Sequence, residues 1–400
     1  MKIPLCLALV AATLATTTLQ AAHKKSGTHA KSPKEQKRGP EQIEAATRLQ
    51  VFLDRANFSP GALNGHYGEF TIKALALYRQ SRGEQPPASP PKPDAAPDVS
   101  GLDLASFGPA FILYTVTDAD LQNIGPVPGA TAAQAKLKFL PYRSPAEALA
   151  EKFHSDVHFL EQLNPGKTKT IKAGDQLKVP NVEPFELAAV KDLKPGSEIA
   201  SLVANDLPDQ PDQTPEERPP QNPSAAPASS PSMPSVKIDT KTNMLGVFEA
   251  DKLVAAYPVT IGSAQTSSPI GEWKVQRITK LPKFRWDEQM LKHGQRSGNF
   301  HILPPGPRSP VGVIWIALNK KGIGLHGTNT PETIGRSVSH GCVRLSNWDA
   351  VRLAQKVKSG VPVFPFRIFT TGEPPAPSAT AKSGTPSRLT SPRAIAIGPV

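Results

Sequence analysis

The stretch GIGLHGTNTPETIGRSVSHGCVRLSNWDA, residues 322–350, decides how the C-terminal part of this 400-residue chain is expected to fold. Its first six residues have the composition of a short strand, and a polar loop then leads to SHGCVRLSN, in which Cys342 lies between a His-Gly pair and an arginine. Apolar residues recur at helical spacing after Ser346, and Asp349 follows Ser346 at the spacing of a capping box. The stretch therefore predicts a strand, a loop and a helix in that order.

Further strands are predicted upstream of this stretch. Alternating apolar residues in LVAAYPVTI (253–261) predict a strand with one buried face, and GEWKVQRI (271–278) and VGVIWIAL (311–318) predict two more. EADK (249–252) is expected to form the turn of a hairpin. The side chains expected to face inward from the first strand are Leu253, Ala255, Tyr257, Val259 and Ile261. Residues 236–370 are thus expected to form a mostly β domain with one helix near its end.

Cys342 could act as a nucleophile, a metal ligand or a buried inert thiol. A thiol with the ordinary pKa of about 8.5 is only slightly ionised at neutral pH, so a nucleophile needs a neighbouring imidazole. His340 lies two residues away and seldom reaches a thiol from there, whereas His326, at the end of GIGLHG, is the better base. Gly341 allows close approach of backbone N–H groups to an oxyanion, and Arg344 adds a fixed positive charge.

The other interpretations of Cys342 have less support. A zinc site built with His326 and His340 lacks a second cysteine or a carboxylate at a standard spacing. Burial is a common outcome for a lone cysteine, but the flanking residues here are polar and favour turns. Redox exchange lacks a resolving partner, because Cys6 lies in the N-terminal apolar run. We therefore expect a catalytic cysteine with neither metal nor cofactor, and keep the metal and inert interpretations as alternatives.

The order H-G-T, then S-H-G-C-x-R-x-x-N, resembles the active-site signature of the L,D-transpeptidase catalytic domain of the YkuD family. The upstream stretches YPVTIG, SPIGEW and LPPGP resemble further parts of that family, especially its branch in Gram-negative envelopes. One departure is Ser268, where the family usually has threonine. The resemblance implies a β-sandwich-like catalytic domain and a cysteine acyltransferase that acts on the stem peptides of peptidoglycan.

The resemblance also implies a role for each residue of the signature. The thiolate attacks the carbonyl at the L-centre of the third stem residue, diaminopimelate, expels D-Ala, and passes the acyl group to an amine of another stem peptide or of a wall-attached lipoprotein. Carbapenem-type inhibitors are expected to bind. With water as acceptor the enzyme would be an L,D-carboxypeptidase, a hydrolase, and a non-catalytic wall-binding scaffold is a further alternative. The implied roles are nucleophile for Cys342, base for His326, loop shaping for Ser339 and His340, oxyanion binding for Gly341 with Cys342, and support for Arg344.

Residues 41–84 have the pattern of two helices joined by the turn SPGALNGHYG. They resemble the small peptidoglycan-binding domain, a helical bundle, in the glycine-rich turn and in the helix that follows. The alternative is a purely structural helical hairpin. The matching positions are Pro60, Gly61, Gly65, Gly68, Thr71, Ala74, Leu75 and Tyr78.

Residues 111–182 resemble a LysM carbohydrate-binding module, with a strand, two helices and a strand, in LNPG and AGDQLKVP. Leu149, Val157 and Leu163 share one side of the predicted helical region. The segment departs from the LysM pattern after YTVTDADL, where an insertion runs through Pro141. His154 and His158 have the spacing of metal ligands but lack a third, so they are expected to lie at the surface or its boundary.

Low-complexity segments separate these three ordered ones. With 44 prolines and 38% hydrophobic residues, the chain is expected to be multidomain rather than packed throughout. The predicted connections are a basic linker at 23–40, a proline-rich linker at 85–110, an extension with a proline-rich linker at 183–235 and a disordered tail at 371–400.

The N-terminus and the net charge bear on location and partners. Residues 1–22 have the layout of a signal peptide, which predicts export to the periplasm or cell envelope; an uncleaved N-terminal anchor is the alternative. The net charge of +12 favours an anionic partner such as the cell wall. Export, and the lack of a basic patch interleaved with aromatic residues, argue against nucleic acid.

Overall fold

The computed structural model describes residues 38–85, 95–193, 233–262, 271–293, 295–320, 322–336 and 341–366. The predicted signal peptide and tail, most of the predicted linkers, Ser268, Ser339 and His340 lie outside the described residues. The chain divides into two compact units, residues 1–39 and 40–400, and the second contains all elements discussed below. Along the described parts of the chain, the helices are too short or too polar to cross a membrane.

The first ordered segment is a helical hairpin, as its sequence predicts. Helix α1 spans Pro40–Arg55 and helix α2 spans Glu69–Ser81. The turn between them is fixed by Gln50, whose buried amide accepts from the backbone of Asn64 and Gly65 and donates to His66 O. Apolar residues of 99–107, within the predicted linker 85–110, pack against the apolar face of this hairpin.

The second ordered segment has the predicted order of strand, helices and strand. Strands β1 (Phe111–Thr115) and β2 (Gln176–Pro180) pair antiparallel. Between them lie a short helix α3 (Thr131–Gln134) in the insertion and helices α4 (Pro145–Lys152) and α5 (Val157–Leu163).

The expectation that His154 lies at the surface is wrong. His154 takes a φ of +50° in the break between α4 and α5, and its ring points into the interior at 2% exposure. Asp156 caps α5 by accepting from His158 N at 2.7 Å, which begins a new helix axis there. Val157 is therefore 41% exposed rather than on the buried side with Leu149, while His158 is exposed.

The third segment is mostly β, as predicted. Eight strands form one mixed sheet in the order β11-β10-β9-β6-β12-β3-β4-β5, and β7 and β8 form a separate ribbon that encloses a short helix α6 (Glu288–His293). The strands are β3 (Ser235–Asp239), β4 (Met244–Glu249), β5 (Lys252–Pro258), β6 (Trp273–Lys280), β7 (Phe284–Trp286), β8 (His301–Leu303), β9 (Ile314–Leu318), β10 (Gly324–His326), β11 (Val343–Arg344) and β12 (Pro362–Phe366).

Helix α7 (Asn347–Lys356) is the predicted C-terminal helix. Ser346 is its N-cap, with Oγ accepting from Asp349 N at 3.2 Å. Trp348 and Leu353 of this helix are buried in one core with residues of the sheet such as Ile316. Packing this amphipathic helix against β9 and β10 covers one face of the sheet where they meet.

Both faces of the β4–β5 hairpin are buried, which the alternating pattern does not predict. A bulge at Val247/Phe248 shifts the register, so Leu253 packs against the helical hairpin while Ala255 and Tyr257 face the main core. Leu253 is buried, as predicted, but on the opposite face from Ala255 and Tyr257, because a bulge moves a side chain to the other face.

A buried polar cluster joins the three segments. We call Asp54, His154, Trp348 and Arg352 the Asp54 cluster. The Asp54 carboxylate of α1 accepts from Arg352 Nη1 and Nη2 of α7 at 3.0 and 2.8 Å. His154 Nδ1 lies 3.0 Å from Asp54 Oδ2, and its ring stacks on Trp348 at 5.1 Å. The segments predicted as linked modules thus pack directly against one another.

Candidate active site

The pairing of β10 with β11 brings the residues of the signature together. The strands are parallel, with Leu325 opposite Val343 and His326 opposite Arg344. Leu325 and Val343 are buried in the main core, so the side chains of His326 and Arg344 lie on the other face. Cys342 directly precedes β11, and its Sγ lies against the backbone of Gly322 and Gly324, with the Arg344 charge acting on the thiol. The pairing therefore brings the cysteine to the β10–β11 edge, where His326 and Arg344 share one face.

His326 is held as a neutral imidazole with a defined tautomer. Its Nδ1 lies 2.6 Å from Gly327 O, and because a carbonyl only accepts, Nδ1 carries the proton and Nε2 the lone pair. Trp315, opposite on β9, stacks on the ring with centroids 5.2 Å apart. Burial, aided by the charge of Arg344, lowers the pKa of His326 to about 4. At neutral pH the imidazole is a base.

Cys342 is half-buried and protonated at rest. Its Sγ donates to Gly322 O at 3.4 Å. Burial raises the pKa of the thiol to about 11, against the opposing effects of the Gly324 backbone N–H and the Arg344 charge. Thiol and imidazole are therefore both neutral near pH 7, so attack by the sulfur requires proton transfer to His326 during the reaction.

The backbone around the cysteine is fixed from both sides. Gly341 has a φ of +113°, a conformation that favours glycine, and leads directly into β11. Arg344 N and O both bond to Thr260 at 2.9 Å, while Leu345 N donates to His326 O at 2.8 Å. Ser339 and His340, predicted to shape this loop, lie outside the described residues.

Asn347, the last residue of the signature and one for which no role was predicted, is a structural anchor of the site. Its Oδ1 accepts from Val313 N at 3.1 Å, and its Nδ2 donates to Glu151 Oε1 at 2.8 Å. A Cβ on Gly312 or Gly327 would collide with Asn347 Oδ1. The amide is therefore wedged against the residue whose carbonyl holds the His326 proton.

Within the described ranges, His, Cys, Asp and Glu side chains form no group of three or more that could hold an ion. His340, which belongs to the zinc alternative for Cys342, lies outside those ranges. A thiol and a guanidinium on one segment, paired with a strand that carries a neutral imidazole, are groups suited to acyl transfer.

Comparison with known proteins identifies the domain that carries this site. Residues 234–364 match the sequence model of the YkuD L,D-transpeptidase catalytic domain. The protein YqjB of Bacillus subtilis, which carries the L,D-transpeptidase name, is 32% identical over 135 residues, 32% of this chain and 69% of that protein. This chain belongs to the YkuD family of L,D-transpeptidases. YkuD of Bacillus licheniformis is 31% identical over 128 residues, and the match spans 32% of this chain and 62% of that protein.

Solved structures of two L,D-transpeptidases match 34% and 33% of the chain. One from Enterococcus faecium is 18% identical, covers 34% of this chain and 50% of its own, and gives a TM-score of 0.27. L,D-transpeptidase 3 of Mycobacterium tuberculosis is 17% identical, covers 33% of this chain and 61% of its own, and gives a TM-score of 0.28. The family match covers 234–364, so the peptidoglycan-binding and LysM resemblances of the upstream segments stay predictions.

Proposed function

We propose that this protein is an exported peptidoglycan L,D-transpeptidase whose nucleophile is Cys342. The observation that supports the proposal is the parallel pairing of β10 and β11, which brings the segment that carries Cys342 alongside the strand that ends in His326. Family membership supports acyl transfer as the reaction class. The assignment of Cys342 as nucleophile rests on the position of its thiol directly before β11, next to the strand that carries His326.

In the proposed reaction His326 Nε2 takes the thiol proton as Sγ attacks the carbonyl carbon at the L-centre of stem residue three. A C–S bond forms, and the oxyanion accepts from the N–H groups of Gly341 and Cys342. Collapse breaks the peptide bond to D-Ala, whose amine takes the proton from His326. An acceptor amine then attacks the thioester and releases the Cys342 thiolate. His326 takes a proton from the amine and passes it to the thiolate.

Two acceptors fit this chemistry. The side-chain amine of diaminopimelate on a second stem peptide would give a 3-3 cross-link, and a lysine of a lipoprotein would give a wall-attached protein. The net charge of +12 favours association with an anionic wall, and the predicted signal peptide would deliver the enzyme to the periplasm. A carbapenem presents a strained carbonyl to the same thiol, so a stable acyl adduct is expected.

The experiment is product analysis of the purified full chain with a disaccharide tetrapeptide, with and without a second stem peptide as acceptor. Transpeptidation predicts D-Ala release together with 3-3 dimers that appear only when the acceptor is present. Tripeptide alone under both conditions would replace the proposal with L,D-carboxypeptidase activity. No turnover, with folded protein, would favour the wall-binding scaffold.

A further inference from the structure

The LysM-like module docks beside the loop that follows His326. Leu140, in the insertion that departs from the LysM pattern, donates its N–H to Pro305 O at 2.8 Å and accepts from Arg308 N at 3.3 Å. Arg308 Nη1 bridges the Glu147 carboxylate at 2.6 Å and Asn329 O at 2.9 Å. The insertion is thus an interface that fastens the module to the catalytic domain.

Glu151 extends this interface inward to the anchor of the active site. It is 7% exposed on α4 and accepts hydrogen bonds from Tyr142 Oη and from Asn347 Nδ2. Asn347 Oδ1 in turn lies against Gly327, whose carbonyl accepts from His326 Nδ1. A continuous set of contacts therefore runs from a carboxyl group of the upstream module to the imidazole.

Glu151 is the nearer of two acceptors for Asn347 Nδ2, at 2.8 Å against 3.5 Å for Pro307 O. Burial raises the pKa of Glu151 to about 7, and an oxygen of its carboxyl group can accept in either protonation state, which leaves Asn347 Oδ1 for the backbone N–H of Val313. Without an acceptor at position 151, Nδ2 would keep the longer contact to Pro307 O, which holds the amide less firmly against rotation. Rotation would set NH₂ against the Val313 N–H and against the backbone of Gly327.

We propose that Glu151 is a positioning residue for His326, and that it acts through Asn347. This proposal rests on the function proposed above, with His326 as the base. The LysM-like module then contributes a residue that positions the base, so catalysis depends on the docking of this module against the catalytic domain. If the acceptor is lost, the Gly327 carbonyl is held less firmly. The proton on His326 Nδ1 is then less well fixed, and Nε2 is less well aligned with the thiol.

The test compares Glu151→Met, which keeps the volume and removes the acceptor, with Glu151→Gln, which keeps an acceptor oxygen. Glu161→Met, on an exposed position of α5, is the matched control. The acylation rate at saturating donor is expected to fall between about tenfold and about a hundredfold in Glu151→Met, with the donor KM changed less than about twofold. Glu151→Gln and Glu161→Met are expected to stay within about threefold of the unmodified chain.

A second readout does not depend on turnover. In ¹⁵N spectra of the full chain, His326 should give one tautomer with a protected Nδ1 proton, and Glu151→Met should lose that protection or mix tautomers. If Glu151→Met shows no cooperative melting transition, Glu151→Asp, which withdraws the acceptor by one methylene, carries the test in the same direction. A folded acceptor-lacking variant with unchanged imidazole signals and unchanged acylation overturns the proposal. If the unmodified chain forms no acyl-enzyme, the proposed function fails, while the imidazole spectra still decide the role of Glu151.

Discussion

Removal of Arg352 should destabilise the whole second unit, because it leaves a buried carboxylate without its cation. Asp54 is 0% exposed, and its carboxylate accepts two hydrogen bonds from the Arg352 guanidinium and lies 3.0 Å from His154 Nδ1. Burial lowers the pKa of His154, so His154 is a neutral donor at pH 7. Burial would raise the pKa of Asp54, but the charges and hydrogen bonds of Arg352 and His154 together outweigh burial and hold that pKa well below its ordinary value.

Two estimates give the size of the loss in Arg352→Met. Unit charges about 4 Å apart attract by about 4 kcal/mol at an effective dielectric constant of 20. In the variant, the Asp54 carboxylate can lose its charge by taking up a proton. For a group with the ordinary pKa of 3.8, that protonation costs about 4 kcal/mol at pH 7 and about 2 kcal/mol at pH 5. We therefore expect the free energy of unfolding to fall by about 3 to 4 kcal/mol at pH 7 and by no more than about 2 kcal/mol at pH 5.

The assay is denaturant unfolding followed by tryptophan fluorescence, since Trp348 stacks on His154 within the cluster. Lys358→Met, at an exposed position, removes the same charge and should change stability by less than about 0.5 kcal/mol. In Asp54→Asn/Arg352→Met both charges are gone, so the loss should be smaller than the sum of the two single losses. A loss below about 1 kcal/mol in Arg352→Met at pH 7, the value of an exposed ion pair, would show that Arg352 does not stabilise the buried Asp54 carboxylate.

Three further predictions concern pH and backbone. Burial raises the pKa of Asp349 to about 7, so the folded chain keeps a proton that the unfolded chain releases above pH 3.8. The free energy of unfolding should therefore fall as pH rises from about 4 to 7, and Asp349→Asn should remove about 4 kcal/mol of that fall. Denaturant unfolding at several pH values measures it, and an equal dependence of the unfolding free energy on pH in both proteins would contradict the prediction. Gly312 has a φ of +62°, and a Cβ there would collide with Asn347 Oδ1, so Gly312→Ala should lower the free energy of unfolding by about 2 to 4 kcal/mol. Gly298 has open space around it, so Gly298→Ala should lower it little, and equal losses in thermal melting of the two variants would contradict this. Alkylation of Cys342 by iodoacetamide should accelerate about tenfold per pH unit up to about pH 10, because its pKa is near 11, and a plateau by pH 7 would contradict that value.

Local patterns predicted the elements that carry the site. The strand at Gly324–His326, the Ser346 cap with its helix and the hairpin at EADK are present, the last with Ala250 and Asp251 both at positive φ, whereas the short strand β11 before the cap was not predicted. These features follow from turn chemistry and periodicity within a few residues, so a single sequence carries enough information to predict them.

Features that depend on distant partners could not be predicted. His154 is buried because Asp54 and Trp348 receive it, and neither is near it in sequence. Glu151 reaches Asn347 across 196 residues, and no spacing rule connects them. Leu253 faces the helical hairpin because of a bulge that alternation alone does not show. What was missed is therefore the packing of the three segments on one another.

The intact mass of the full chain after incubation with a tetrapeptide donor or a carbapenem tests most directly whether Cys342 is the nucleophile. We expect one acyl adduct on the unmodified chain, mapped by peptide digestion to Cys342, and the same adduct on the control variant Cys6→Ala. No adduct is expected on Cys342→Ala. An adduct that persists on folded Cys342→Ala would contradict the assignment of Cys342 as the nucleophile.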